Sequence, residues 1–551
     1  MTEALCELRK ETRIMFHKKT VCTFFALLLT MGVLFGCLTA ASAETVSTVS
    51  ESLTSASPVE TSEDAAGDEE EPSAAITLID GASVCDSSSV IIDGDCITVT
   101  EAGTYLVSGT LSDGQIRVDT DKESKVKLIL DGTSITNSTG AAIYVLSADK
   151  LVISLAEGSM NSLSSNGSFE QTDDNNVDAA VFSKDDLTFS GNGTLYVSSS
   201  GHGIVCKNDL KIKGGLISVT ASDKGISAND SITIDGGSVT VVSGDDAVNC
   251  EGDVSVNAGI LNLSTDDDGI HGDLTLTVSG GTIDVVKSHE GLEASSILIS
   301  DGVITIVSSD DGINAAGGTD GSGSSDFFSV GHGGNSFNET GSSLTISGGI
   351  LNINAQGDGL DANGDLTVSG GTIFISGPTD SGNGALDFTS GSISGGTLIA
   401  ASASGMAINF GNGSTQGSIL YHFSAPVSAG SEITLTDSKG EVLASFTPEK
   451  EFQSVVISCP ELEQGSHYIL NAGAQSADIA LSSLIYGSGG GMGMGGMGRG
   501  GFRPDGSSGM PEGFSPDGDG DMPGRTPSDP RSGDFPQGGH GHGGQDFAPN
   551  I

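Results

Sequence analysis

One short motif recurs along the middle of the chain at an almost constant interval, and it limits the folds that the chain can adopt. The motif is a small residue followed by a branched apolar one, most often Gly-Ile. The branched residues of successive motifs are separated by 22, 22, 22, 22, 21 and 47 positions. The motifs are Gly203-Ile204, Gly225-Ile226, Ala247-Val248, Gly269-Ile270, Gly291-Leu292, Gly312-Ile313 and Gly359-Leu360. Such a regular spacing is typical of a solenoid in which each repeat forms one coil.

Each repeat has a second fixed feature, a Gly-Gly turn that follows an alternating strand. In one repeat Leu274 to Val278 alternate as a strand does, and Gly280-Gly281 follow. No window shows the period of a helix. The sequence therefore predicts an all-β protein, a single-stranded right-handed parallel β-helix with about 22 residues and three short strands per coil. A β-sandwich would not keep this spacing through so many repeats, and the nonapeptide repeat of calcium-binding β-rolls is absent.

The repeat also predicts the domain organisation. Four further residues extend the register, two upstream and two downstream: Ile143, Val181, Leu386 and Ile408. We expect the β-helix to cover residues 76–425, with a Gly- and Ser-rich insertion at 317–341 that accounts for the long interval. Residues 426–486 leave the register and alternate like antiparallel strands, which predicts a small β cap that shields the last coil.

The N-terminal region has the pattern of an export signal. An apolar run is followed by Ala41-Ser42-Ala43, which fits a cleavage site, so residues 1–43 are predicted to be a signal peptide. Cys37 offers the alternative of a lipoprotein anchor, and the start of translation is Met1 or Met15. We therefore expect a secreted or cell-surface protein with no transmembrane helix in its mature form.

Two segments of low complexity flank the repeat. Residues 44–75 are rich in Ser, Thr, Glu and Ala, and residues 487–551 are rich in Gly, Pro, Asp and Met. Both compositions predict disordered, solvated chain, and we expect the protein to be a monomer. Gly539-His540-Gly541-His542 can hold a transition metal weakly, although a flexible tail is the simpler interpretation.

The alternation of side chains along a strand assigns the faces of the repeat. If Ile204 and its equivalents point inward, the residue two positions later points inward as well. That column contains only small residues: Cys206, Ala228, Cys250, Gly272, Ala294, Ala315 and Ala362. Cys206 and Cys250 are two coils, or about 9.6 Å, apart, so we expect buried free thiols. Cys85 and Cys96 leave open whether they form a disulfide near the first coil.

The residue between the two inward positions must face outward. This outward column is polar almost throughout: Val205, Ser227, Asn249, His271, Glu293, Asn314, Asp361 and Asp387. The register is therefore consistent on both faces of the strand.

The net charge narrows the possible partners. It is −50, from 72 acidic and 22 basic residues, so nucleic acid and anionic membrane surfaces would be repelled. Many of the acids stand just before the Gly-Ile motifs or on the outward column. They form the predicted metal ligands, namely Asp245, Asp246, Asp267, Asp268, Glu290, Glu293, Asp310, Asp311, Asp358 and Asp361.

Stacked coils would place these carboxylates roughly 5 Å apart, where like charges repel appreciably. Such a ladder must be protonated, solvated or bridged by cations. Hard oxygen ligands at this density favour Ca²⁺, the expected cofactor. The alternative is a stripe of solvated turn residues, because Asp-Gly is a common turn pair.

A resemblance to a known family adds a ligand class. Three features carry it: the run from Ala102 to Gln115, the run from Ala179 to Leu187, and the repeated Asp-Gly-Ile. Together they resemble a family of secreted bacterial carbohydrate-binding proteins with a pectate-lyase-like β-helix. The resemblance covers roughly residues 76–483. It implies calcium binding and a polysaccharide partner from the plant cell wall, such as polygalacturonate or cellulose.

An enzyme on the same scaffold is the main alternative. Calcium-dependent pectate lyases need a strong base, usually Arg, and the chain has no Arg between Val118 and Gly498. If the protein is instead a lyase with a lysine as its base, the candidate bases are Lys287 and Lys224. Two motifs similar to those of polygalacturonases are present, but they occur in the reversed order. A purely structural surface protein or adhesin is a further alternative.

We therefore expect calcium-dependent binding of an acidic or plant-wall polysaccharide without cleavage. The chain has no Trp, so broad aromatic platforms for sugar stacking are absent from the sequence. The predicted carbohydrate contacts are instead polar residues of the outward column: Asn249, His271, Asn314 and Asp387.

Overall fold

The computed structural model describes residues 71–171, 174–316, 342–411 and 413–487. The predicted signal peptide, most of the linker, the insertion at 317–341 and nearly all of the tail lie outside these ranges, and those expectations stay predictions. Within the described ranges the secondary structure is entirely β, as predicted, and no helix is long and apolar enough to span a membrane.

The first coils are formed by strands β1 to β13. Their bounds are β1 Ala74–Ile79, β2 Val84–Cys85, β3 Val90–Asp93, β4 Cys96–Val99, β5 Gly103–Leu111, β6 Gln115–Asp119, β7 Lys125–Asn137, β8 Ile143–Ser147, β9 Lys150–Leu155, β10 Met160–Ser165, β11 Ala179–Ser183, β12 Asp186–Gly191 and β13 Thr194–Ser199. β1 and β5 already pair in parallel. The β3–β4 hairpin is antiparallel, and Cys85 and Cys96 are both free thiols.

The regular coils follow. Their strands are β14 His202–Cys206, β15 Asp209–Ile212, β16 Leu216–Ala221, β17 Ile226–Ala228, β18 Ser231–Ile234, β19 Ser238–Val242, β20 Val248–Cys250, β21 Asp253–Val256, β22 Ile260–Ser264, β23 Ile270–Val278, β24 Thr282–Ser288, β25 Leu292–Ile299, β26 Val303–Ser308, β27 Ile313–Ala315, β28 Ser343–Ile346, β29 Ile350–Ala355, β30 Leu360–Ser376 and β31 Leu386–Ser402. Three parallel ladders run along the coils, and β14, β15 and β16 start the regular part of each; longer strands such as β23 and β30 belong to more than one ladder.

The predicted register is confirmed in the first of these sheets. Ile204 pairs with Ile226, and the ladder continues through Val248, Ile270 and Leu292. It also runs upstream through Val181 and Ile143, as the spacing predicted. The protein is therefore a parallel β-helix in which 22 residues return the chain to the same ladder position.

Burial follows the predicted alternation. Both inward columns are sealed: the branched residues and the small residues two positions later are almost fully inaccessible. Burying each Ile, Leu or Val side chain stabilises the fold by about 1.5–3 kcal/mol, so the stacked columns supply the main driving force. Cys206 and Cys250 lie in this interior as free thiols.

The glycine of the motif is required by close packing between coils. A Cβ atom at Gly291 would lie 2.3 Å from the carbonyl oxygen of Gly312 in the next coil. The second glycine of the Gly-Gly turn has a different reason. Gly281 has a φ of +82°, a left-handed conformation that other residues adopt at a cost.

The parallel ladders of the stacked coils end at β31. Leu386 pairs with Leu360, but Ile408 follows the end of β31 and belongs to no ladder strand; it packs against the core from an irregular segment. The remaining strands are β32 Ser418–Val427, β33 Ile433–Asp437, β34 Val442–Phe446, β35 Phe452–Ser458, β36 His467–Ala472, β37 Gln475–Ala480 and β38 Ile485–Tyr486.

The predicted antiparallel cap is present. β34, β33, β36 and β37 form a separate antiparallel sheet, which packs with β31, β32 and β35 around a second apolar core. β35 instead pairs antiparallel with both β31 and β32, so it covers the free edge of the last coil. The rings of Phe374 and Phe446 stack with centroids 5.0 Å apart and join the cap to the β-helix.

Candidate functional site

The residues just before the Gly-Ile motifs stack into a single line at one turn of the coils. We call this line the turn column: His202, Lys224, Asp246, Asp268, Glu290, Asp311 and Asp358. Its side chains bond the backbone of the next coil. The amide of Asp268 donates to Oδ1 of Asp246 at 3.1 Å, and the amide of Glu290 donates to Oδ1 of Asp268 at 3.2 Å. One oxygen of each carboxylate thus satisfies a backbone N–H that the turn would leave unpaired.

The outward column lies beside the turn column. Its members pair in sequence across the ladder: Asn249, His271, Glu293, Asn314, Asp361 and Asp387. These residues point away from the apolar interior, as predicted, but three of them are buried: His271, Glu293 and Asn314 are only 2%, 6% and 7% exposed. Asn249, Asp361 and Asp387 keep partial access to solvent. The assignment of Asn249, His271, Asn314 and Asp387 to carbohydrate stays a prediction.

The first part of the turn column is neutralised by a lysine. Nζ of Lys224 forms an ion pair with Oδ2 of the buried Asp246 and lies 3.5 Å from Oδ1 of Asp245. Asn249 also donates to Asp246, at 3.0 Å. Burial raises the pKa of Asp246, and the neighbouring ammonium opposes that rise. Carboxylate oxygens of Asp245, Asp246 and Asp267 lie within 4.8 Å of one another, so this group already has a cation of the protein beside it.

The middle of the column is organised around a histidine. Nδ1 of His271 lies 2.8 Å from Oε2 of Glu293 and 3.4 Å from Oδ2 of Asp268. Nε2 of His271 donates to Oδ1 of Asp273 at 3.0 Å. Burial by itself lowers the pKa of His271, but the carboxyl groups of Asp268 and Glu293 outweigh it and raise the value to about 11. Burial raises the pKa of Asp268 to about 8, with Glu293 and Asp246 acting in the same direction.

Glu290 lies between the middle and the last part of the column. Its Oε2 accepts a hydrogen bond of 2.8 Å from Nδ2 of Asn314. Burial, reinforced by Glu293 and Asp268, raises the pKa of Glu290 to about 9. The group is therefore largely protonated at neutral pH, which is one way for the ladder to relieve its repulsion.

The last part of the column is an all-carboxylate cluster. Oxygens of Asp311, Asp358 and Asp361 lie within 4.8 Å of one another. The amide of Asp358 donates to Oδ1 of Asp311 at 2.6 Å, and the amide of Gly384 donates to Oδ1 of Asp358. Among the described residues, no salt bridge involves any of these three aspartates.

The pKa values of the three aspartates are raised by burial and by the neighbouring carboxyl groups. Burial raises the pKa of Asp311 to about 8, that of Asp361 to about 7 and that of Asp358 to about 6. Neighbouring carboxyls act in the same direction, including Asp310 and Asp387. Oxygen donors in this number and without a protein cation match the preference of Ca²⁺.

The two lysines considered as catalytic bases are engaged by carboxylates. Lys224 pairs with Asp245 and Asp246, and Nζ of Lys287 pairs with Asp266. The Lys287–Asp266 pair is exposed, with 61% and 66% of the two side chains accessible. A base needs a free lone pair at the substrate, whereas both amino groups face carboxylates in this arrangement.

One residue near the site, Asp273, was not singled out by the sequence. Asp273 holds the ring of His271, and its signal was its position two residues later on the same strand face. His289, which stands beside the turn column in the sequence, forms a second group of histidine and carboxylates with Asp267 and Asp268, within 4.8 Å. In the upstream coils the outward column turns apolar, and Tyr144, Phe182 and Val205 form a small separate core.

Part of the chain is similar to proteins described as carbohydrate-binding. Residues 93–327 match a family model described as "Carbohydrate-binding domain-containing protein". A curated protein of the same description from Acetivibrio thermocellus is 46% identical over 126 residues, which are 22% of this chain and 44% of that relative. The chain thus spans less than half the length of the relative. A solved structure, titled as the polysaccharide lyase-like protein from C. thermocellum in a gadolinium derivative, is 31% identical and covers 44% of this chain and 92% of its own, with a TM-score of 0.34.

Proposed function

Because residues 93–327 match the model of the carbohydrate-binding domain-containing protein family, we propose that this chain binds an acidic polysaccharide of the plant cell wall through calcium. The ion is held by Asp311, Asp358 and Asp361, with Asp310 and Asp387 beside them. The observation that carries the proposal is the convergence of three carboxylates within 4.8 Å, without a salt bridge to any of them in the described part of the chain.

The charge of the protein explains why an ion is needed. At a net charge of −50, direct contact with a polyuronate such as polygalacturonate would be repulsive. Calcium accepts six to eight oxygen ligands, so an ion on three aspartates keeps positions open for the carboxylate and hydroxyl oxygens of a sugar. Asp311 and Asp361 retain partial exposure, which leaves such an ion accessible. A neutral polymer such as cellulose would need a different contact surface.

Binding without cleavage is part of the proposal. No arginine occurs between Val118 and Gly498, and Lys224 and Lys287 are engaged in ion pairs. Without a free base beside the ion, a lyase would lack the group that removes the proton adjacent to the uronate carboxylate. We further propose that the protein acts outside the cell, as its N-terminal pattern predicts.

The test is calorimetric titration of the chain with polygalacturonate, with Ca²⁺ and with a chelator, while ultraviolet absorbance reports unsaturated products. We expect heat of binding only with Ca²⁺, and flat absorbance. Asp361→Asn should abolish the calcium-dependent heat, because it removes one of three ligands. Asp365→Asn is the matched control, since Asp365 is exposed on the same strand β30 and should leave binding unchanged.

Three results would contradict parts of the proposal. Rising absorbance would make the protein a lyase and direct attention to Lys287 and Lys224. Binding that persists in chelator would remove calcium from the mechanism. Absence of heat under every condition would favour a structural surface protein or adhesin.

A further inference from the structure

The buried cluster around His271 has a composition that differs from the rest of the turn column. Asp268, His271 and Glu293 are 1%, 2% and 6% exposed, and one ligand atom from each lies within 4.8 Å of the others. Asp268 and His271 belong to one coil and Glu293 to the next, and His271 and Glu293 are paired neighbours in the outward column. The donor set is one imidazole nitrogen and two carboxylate oxygens.

The orientation of the imidazole is fixed from its far side. Nε2 donates its proton to Oδ1 of Asp273, so Nδ1 faces Asp268 and Glu293. In that orientation the lone pair of Nδ1 would point at two carboxylates unless a second proton or a metal ion lies between them. Histidines that bind metals almost always donate their other N–H to a carboxylate or carbonyl in this way, which sets the tautomer and strengthens the ligand.

An independent observation points into the same space. Oδ2 of Asp268 is fully buried and makes no hydrogen bond within the described residues, although its partner oxygen accepts one from the backbone of Glu290. Leaving a buried carboxylate oxygen unsatisfied is costly. This oxygen lies 3.4 Å from Nδ1 of His271. Two ligands at about 2.1 Å from a tetrahedral ion are about 3.4 Å apart, so the spacing suits a small transition-metal ion.

From these contacts we infer that Asp268, His271 and Glu293 form a second metal centre, which selects a divalent transition metal of the Zn²⁺ class over Ca²⁺. Imidazole nitrogen combined with carboxylate oxygen suits Zn²⁺ and related ions, whereas Ca²⁺ takes oxygen ligands. The ion replaces the proton on Nδ1 and places its charge between the two buried carboxylates. This inference gives two of the predicted calcium ligands to a different ion, and it does not depend on polysaccharide binding.

The experiment is a titration of the full chain with Co²⁺, followed by displacement with Zn²⁺. Visible absorption of Co²⁺ reports a tetrahedral or five-coordinate site directly. The background carries His540→Gln and His542→Gln, so that the tail histidines cannot contribute. We expect one intense Co²⁺ band per chain that Zn²⁺ removes and that Ca²⁺ leaves in place.

Variants assign the site. His271→Gln should abolish the band, and Asp273→Asn should weaken metal binding about 10- to 100-fold, because it removes only the group that orients the ring. His467→Gln is the matched control, since His467 is exposed and contacts Asp478 on the cap sheet. Circular dichroism of each variant reports whether the β-helix has formed; if His271→Gln does not fold, Asp273→Asn decides the question.

Each remaining outcome has a defined meaning. An unchanged band in folded His271→Gln or in Asp273→Asn overturns the inference. A band lost in His289→Gln but retained in His271→Gln also overturns it and moves the metal to Asp267, Asp268 and His289. Calcium-dependent polygalacturonate binding is measured on the same variants and should survive in Asp273→Asn, which was not assigned to carbohydrate, so failure of this inference is distinguishable from failure of the proposed function.

Discussion

Two clusters on one face of the β-helix differ in how they balance negative charge. In the cluster of Asp268, His271 and Glu293 the cation is built into the chain, because a buried histidine lies between the acids. In the cluster of Asp311, Asp358 and Asp361 three acids meet without a salt bridge in the described structure. The backbone positions are equivalent: His271 and Asp361 occupy the same outward column, linked through Glu293 and Asn314.

The comparison shows that a repetitive scaffold can change its chemistry one side chain at a time. His271 and Asp361 occupy equivalent ladder positions, so a single residue of the outward column decides whether the local site contains a nitrogen ligand. Exposure differs as well: His271 and Glu293 are buried, whereas Asp361 is partly accessible. The first cluster is thus suited to an enclosed ion, and the second to an ion that is shared with a ligand.

The largest expected effect is on the stability of the metal-free protein, where the two clusters should respond in opposite directions. His271→Gln leaves buried acids without their cation, and breaking such a pair costs about 3–5 kcal/mol. Asp361→Asn removes a like charge from a crowded group and should leave the thermal midpoint unchanged or raised. Thermal unfolding in chelator measures both. Equal losses in the two variants would mean that the clusters do not differ in charge balance.

The second-largest expected effect is the pH dependence of metal-free stability and of calcium affinity at the all-carboxylate cluster. The folded pKa values of about 8, 7 and 6 for Asp311, Asp361 and Asp358 lie above the ordinary value of 3.8. Their contribution to metal-free stability is therefore fully present below about pH 4 and is lost as the pH rises through 6 to 8. Calcium binds the deprotonated form, so its affinity should increase with pH by up to about tenfold per unit for each proton displaced.

Calcium titrations between pH 5 and 8, with unfolding in chelator at each pH, check this expectation. Asp361→Asn should flatten both profiles, and Asp365→Asn should leave them unchanged. A calcium affinity that is constant over this range would place the ion at carboxylates outside the cluster.

The smallest expected effect is on metal selectivity, when an oxygen ligand of the all-carboxylate cluster is replaced by a nitrogen ligand. Asp361→His places an imidazole at the position that His271 occupies three coils earlier in the same column. We expect Ca²⁺ affinity to fall and Zn²⁺ affinity to rise, each by about tenfold, which is the typical effect of one partner near a metal. Competition between the two ions, measured by calorimetry, reports the ratio. An unchanged preference would show that burial, and not donor type, distinguishes the clusters.

Much of the architecture could be predicted because a coil repeats its own pattern. Constant spacing implies that Ile204, Ile226 and Val248 stack, and alternation then places Cys206 inside and Val205 outside. Ile408 shows the limit of this reasoning. It keeps the 22-residue interval from Leu386, but β35 pairs with β31 and closes the ladder, so the spacing of Ile408 has no structural consequence.

The identity of the site could be predicted only in part. The sequence placed the carboxylates in one stripe, since the stripe follows from the ladder register alone. It did not reveal that Lys224 neutralises Asp246 or that Asp273 orients His271. Those contacts depend on side-chain rotamers and on the depth of each turn, which vary between coils of identical spacing.

The sequence by itself therefore determined the β-helix, the direction of each strand residue and the line along which the acids stack, because these follow from periodicity. Only the tertiary structure decided which acids have raised pKa values, which face a lysine or histidine, and which remain together without a salt bridge. The physical reason is that periodicity specifies backbone positions, whereas charge balance depends on distances of 3–4 Å between side-chain atoms and on the exclusion of water around them.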